Sequence, residues 1–164
     1  MDKIIGRVSS YNILNNIVPG AILYFLIQWY WGVEVLGLNV VESTFLYYFL
    51  GMIISRIGSV IVEPICKRIK WIEFTNYRNF VVASKKDEKI EILSETNNLY
   101  RTMLTMFLVL LLGEAFIWLC ENIRWIYCVE KETIAICLFL LFAASYKKQT
   151  KYVNNRIDAN RKGE

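Results

Sequence analysis

Residues 102–120 read TMLTMFLVLLLGEAFIWLC, and Glu114 is the only charged side chain in the stretch. A helix of these nineteen residues is roughly 29 Å long, close to the ~30 Å hydrocarbon core of a bilayer. Three further apolar runs lie outward from it. Val18–Leu38 reads VPGAILYFLIQWYWGVEVLGL, and Thr44–Ile65 reads TFLYYFLGMIISRIGSVIVEPI. The third, Thr133–Tyr146, reads TIAICLFLLFAASY. Pro19 suits the first turn of a helix, where its missing N–H costs nothing. Trp29, Tyr30 and Trp31 gather at the far end of their run, as an interfacial aromatic belt does. The last run has fourteen residues, about 21 Å of helix. Lys131 and Lys147 can snorkel from its ends, and Ile126–Val129 can lengthen it.

Composition agrees with a membrane chain. Apolar residues make up 55% and charged residues 21% of the 164 residues, with a mean hydropathy of +0.35. Soluble domains sit near 45–50% apolar. No alternating stretch is long enough for a transmembrane β-strand series. Charges at Asp2, Lys3 and Arg7 followed by an Asn-rich stretch argue against a cleavable signal. The expected fold is all-α: a four-helix transmembrane bundle, one membrane domain over residues 1–164.

Basic residues set the expected orientation. The head, the segment 66–101 and the tail 147–164 together hold 16 Lys and Arg, against Arg124 and Lys131 in the other two connections. By the positive-inside rule, both termini and the middle segment are cytoplasmic. Segments 66–101 and 147–164 then form a small cytoplasmic helical cap. Ser84-Lys-Lys-Asp87 has the form of a capping box, which predicts one helix from about Lys85 through the 102–120 span. Phe74–Ala83 reads as a short helix or interfacial segment. Tyr146, Thr150, Val153 and Ile157 recur at helical spacing, so the fourth helix should continue into the cytoplasm and pack on the projection of the third. The net charge of +4 fits surface beside anionic lipid. The basic residues are interleaved with acids and carry no nucleic-acid motif, which disfavours such a partner.

Catalytic chemistry finds little footing. The chain has no His, the commonest general base and metal ligand. It has no Gly-rich phosphate loop and no nucleophile–base set. Its four Cys (66, 120, 128 and 137) form no CxxC pair, so no metal site is expected. Cys120 and Cys128 flank the outer hairpin and are placed to pair in an oxidising compartment; whether they do stays open here. The expectation is a non-enzyme without catalytic residues or cofactor.

Three polar features invite a functional reading. Arg56, Glu63 and Glu114 are charges within or at the edge of apolar runs, where ionisable groups face a partner, a cavity or the bundle interior. By depth, Glu114 is the expected partner of Arg56. Pro64, after Glu63, frees the Val60 carbonyl and predicts a kink. Gly51, Ser55 and Ser59 recur every four residues, a spacing that brings helices close, within the chain or between copies. Asn12, Asn15 and Asn16 share one helical face. That face fits an interfacial helix lining a vestibule, and equally a capped entry to the first span at Asn15 or Asn16.

The stretches YNILNNIVPG, SRIGSVIVEPI and ASKKDEKIEILSETNNLYRT, within residues 11–102, resemble small bacterial multi-pass membrane proteins of the kind encoded in anti-phage defence loci. The resemblance implies a bacterial inner-membrane location beside a cytoplasmic sensor or nuclease partner, with this chain as effector or docking platform. It carries no catalytic residue. The expected function is a homo-oligomer that forms a pore or perturbs the membrane under control of its cytoplasmic cap. The alternatives are a non-conducting scaffold for a cytoplasmic protein and a small transporter. Ion flux separates the scaffold from the other two.

Overall fold

Two glycines bring the first two helices into backbone contact. The computed structural model describes residues 2–33, 37–122 and 131–161, and all regular structure among these is helical. Helix α1 is Asp2–Trp31, α2 is Val40–Arg68, α3 is Tyr77–Lys86, α4 is Lys89–Asn122 and α5 is Lys131–Arg161. Three are long and apolar enough to cross a bilayer: Ile13–Trp31 within α1, Val40–Arg68, and Lys89–Leu119 within α4. The expected fourth span, in α5, is not among them. Its apolar run gives way to Lys147 and Lys148 after fourteen residues.

The chain divides into two compact units, Met1–Gly58 with Asn98–Cys128, and Ser59–Asn97 with Val129–Glu164. In the first, α1 and α2 run antiparallel. A Cβ added to Gly20 would collide with the Tyr47 carbonyl, and one added to Gly51 would collide with that of Asn16. Only hydrogen at both positions lets the two backbones approach so closely. Helix α4 packs beside them. Leu23, Ile54, Met106 and Leu110 form the buried core, ringed by Ile22, Leu26, Ile27, Trp31, Leu50, Ile57, Met103 and Val109. A Cβ on Gly58 would lie 2.6 Å from Thr105 Oγ1, so α2 also meets α4 through a glycine.

Several boundaries differ from the sequence reading. No cap interrupts α1 at Asn15 or Asn16. Pro19 lies inside the helix, its side chain buried, and lacks the N–H that would bond the Asn15 carbonyl. The first run was expected to reach Leu38, but Gly32, at φ +63°, ends α1 at Trp31 because a left-handed residue terminates a helix. Asn39 starts α2 four residues earlier than expected. Its Oδ1 accepts from Glu42 N–H at 3.0 Å, while Glu42 Oε2 accepts from Asn39 N–H at 2.9 Å. This is the reciprocal capping box. The box expected at Ser84–Asp87 does not form. Ser84 Oγ donates to the Val81 carbonyl inside α3. Asp87 is extended, ends α3 through its N–H to Ala83, and accepts from Lys89 N–H at 3.0 Å. The carboxylate, not the serine, caps α4.

In the second unit, α3 starts on Asn76, whose Oδ1 accepts from Arg78 N–H at 3.1 Å. The Tyr152 ring of α5 lies 5.9 Å from that of Tyr77. The tail therefore packs on α3, where packing on the projection of α4 was expected. At the end of α2, Trp71 N–H bonds the Cys66 carbonyl and Lys70 N–H that of Lys67. This is a Schellman closure, with Lys70 at φ +58° in the place glycine usually takes. A side chain there costs about 1–2 kcal/mol. Lys70→Gly is expected to raise stability by roughly 1 kcal/mol, read as a higher unfolding midpoint in detergent; an unchanged or lower midpoint counts against the strain.

The crossing of α1 and α2 gives a second expectation. Gly51→Val should force the backbones apart and cost at least about 2 kcal/mol, seen as loss of a monodisperse peak in detergent. Leu112→Ala, at a side chain 60% exposed, should leave that peak unchanged.

Candidate functional site

Pro64 has no N–H to give its helix, and the polar site of the second unit forms around that loss. The sequence reading placed the vacancy at the Val60 carbonyl, four residues back. Residues Gly58–Val62 instead form a π-helical turn, in which carbonyls look five residues ahead. In that register the Ser59 carbonyl faces position 64 and finds proline. The ammonium of Lys148 takes this carbonyl. The same ammonium lies 3.4 Å from Glu63 Oε1. Lys67, one turn on from Glu63, reaches the same oxygen at 2.8 Å.

Glu63 is buried, its side chain only 6% accessible, while Lys67 keeps 41% and Lys148 24%. A buried carboxylate needs both charge and hydrogen bonds to offset its lost hydration, and two ammonium groups supply them. Lys67 is local, an i, i+4 neighbour. Lys148 comes from α5 and ties it to α2 at both a side chain and a main-chain oxygen. Lys148→Met should strip Glu63 of a long-range partner and remove the ammonium that holds the Ser59 carbonyl. The expected loss is on the order of 2 kcal/mol, with faster amide exchange along residues 140–157. Lys67→Met, at a half-exposed side chain, should do less; equal effects would show that the Ser59 bond contributes nothing.

The first unit holds the other two charges, and it keeps them apart. The Trp31 indole N–H donates to Glu114 Oε1 at 2.8 Å. Gly113 makes this possible, since a Cβ there would sit 2.8 Å from the Trp31 ring. Glu114 also lines an open groove of about 190 Å³ with Leu26, Tyr30, Phe107, Leu110 and Leu111. The expected pairing of Glu114 with Arg56 is replaced by Trp31. Gly58 is level with Arg101 and Thr105 of α4, so Arg56 stands about half a turn from that level. Glu114 is nine residues beyond Thr105 along α4, about 13 Å of rise.

Arg56 itself lies on the far side of α2. Ile54 and Gly58 are buried against the core, and Arg56 is two residues from each, about 200° around the helix. It is half-buried and makes no hydrogen bond or ion pair among the described residues. Phe45 and Phe49 share its outward face and are 71% and 43% exposed.

The remaining candidates sort by role. Gly51 is consumed by the intramolecular crossing with α1. Ser55 is half-buried, and Ser59 acts through its carbonyl. Asn15 and Asn16 are half-buried on α1, and the Asn12 side chain lies outside the described residues. Cys66 is buried and Cys137 exposed, both free thiols. Cys128 and the Cys120 side chain fall outside the described residues. No group of three or more His, Cys, Asp or Glu suited to a metal occurs among the described residues.

The sequence reading missed Lys148 and Trp31. In the sequence Lys148 reads as tail charge, though it follows the end of one apolar run as Glu63 nears the end of another. Trp31 reads as part of an aromatic belt, a pattern that masks its role as a donor to Glu114. Compared with known proteins, the chain matches no family model, no curated protein and no solved structure.

Proposed function

We propose that this chain is a homo-oligomeric protein of the bacterial inner membrane that forms a pore or perturbs the bilayer when its cytoplasmic cap is engaged. The observation that carries the reading is Arg56. A charge near the middle of a span costs at least ~2.5–3.5 kcal/mol when it faces lipid without a partner. Arg56 points away from its own core and has no partner among the described residues. Association that surrounds Arg56 with protein and water removes the cost.

The proposed topology has four spans, both termini cytoplasmic, with α5 as the fourth. The asymmetry of 16 basic residues against two supports it. So does the unbroken helix from Lys131 to Arg161, which carries the short apolar run straight into the basic tail. Engagement of the cap by a cytoplasmic protein would act on α5, which Lys148 couples to the π-helical turn of α2. The resemblance to membrane components of defence loci supports an effector role against phage.

The full chain reconstituted in nanodiscs should give a multimer by mass, and in liposomes it should release entrapped ions. Arg56→Leu should weaken assembly or change that release. A monomeric wild type overturns the proposal. A multimer that releases nothing favours the scaffold.

A further inference from the structure

If the oligomer conducts, the fixed charge that faces its lumen decides what passes. We infer that the permeant species is a small inorganic anion, held in transit by a ring of Arg56 side chains contributed by successive copies of this chain. The inference rests on the pore reading above and adds its selectivity.

The argument begins with what cannot neutralise Arg56. In the first unit, the acids with described side chains within the helices are Glu42 and Glu114. Glu42 is fourteen residues from Arg56 along α2 and is held in the capping box with Asn39. Glu114 takes the Trp31 indole and stands about 10 Å, roughly two helical turns, from the level of Arg56. A neighbouring copy offers no better match. Closed rings of identical chains in a membrane are related by rotation about its normal, which leaves every residue at its own depth. The Glu114 side chains of all copies are therefore equally out of register with every Arg56. Further along α2, Glu63 is already engaged by Lys67 and Lys148.

The guanidinium also cannot escape by losing its proton, because an arginine side chain stays charged in proteins. It keeps a full positive charge and needs water and a mobile counter-ion. Its neighbours on the outward face sharpen the effect. Met52 and Phe49 precede it by four and seven residues, and neither carries charge. An apolar wall of low dielectric strengthens the field of a single charged ring on an ion in the lumen. Rings of Arg or Lys are the arrangement that passes anions and excludes cations.

The test is the reversal potential of the full chain in planar bilayers bathed by unequal KCl on the two sides. The expected result is a potential displaced toward the chloride equilibrium value. Arg56→Gln should abolish the displacement while leaving current, and Arg56→Lys should keep it. A potassium-directed potential in the wild type overturns anion selectivity and leaves the pore intact; a chloride preference unchanged in Arg56→Gln overturns the assignment of that selectivity to Arg56. Absence of any current from an assembled wild type overturns the pore reading itself. Should Arg56→Gln fail to assemble, the wild-type potential and Arg56→Lys still decide the sign.

Discussion

The first unit depends on backbone contact between α1 and α2 at Gly20 and Gly51. Each glycine faces a main-chain carbonyl of the other helix, so the two contacts reinforce one another across an antiparallel pair. Within a bilayer the tails are as apolar as leucine, and close van der Waals packing replaces the hydrophobic effect as the force that joins helices. Placing the helices this close fixes which faces of α1 and α2 remain for α4. Leu23 and Ile54 then fall opposite Met106 and Leu110. Gly58 and Gly113 repeat the device, each admitting a side chain of another helix, Thr105 and Trp31 respectively.

The two prolines act on this frame differently. Pro19 is buried within α1, and the helix runs through it without changing register. Pro64 follows a π-helical turn, and the carbonyl it leaves open is one residue earlier than α-helical spacing gives. An ammonium on α5 fills that vacancy and reaches a buried carboxylate on the same helix. A lysine serves well here because its three donors sit on a compact head that two acceptors can share. The buried ion pair and the helix defect thereby become one structural element.

Charge placement separates the two units further. Glu63 is surrounded by cations, Glu114 by an indole and an apolar groove, and Arg56 by none of these. Two carboxylates and a guanidinium within two apolar runs suggest pairing by sign alone. The structure assigns each its surroundings by depth and by helix face, and opposite charges on different levels do not meet. The face that carries Arg56 lies opposite the one on which Gly51, Ile54 and Gly58 meet α1 and α4.

The sequence by itself determined the helical class, the three helices long and apolar enough to cross a bilayer, though it also offered a fourth, and the polar residues that had to be accounted for. These follow from run length, from period and from the cost of charge in hydrocarbon, all local properties of the chain. The end of α1 at Gly32 and the cap at Asn39 were also legible in residue type, though the longer apolar pattern masked both. Asp87 could be mistaken for the far end of a capping box because its competitor, Ser84, sits at the right spacing; only the burial of Ser84 on α3 decides between them. What tertiary structure alone decided is partnership. Trp31 rather than Arg56 reaches Glu114, Lys148 reaches Glu63 and the Ser59 carbonyl, and the tail packs on α3. Each of these depends on which residues share a level once helices are laid side by side. That alignment is set by glycine contacts and by a one-residue change of register at Gly58–Val62, neither of which is encoded in hydropathy or charge.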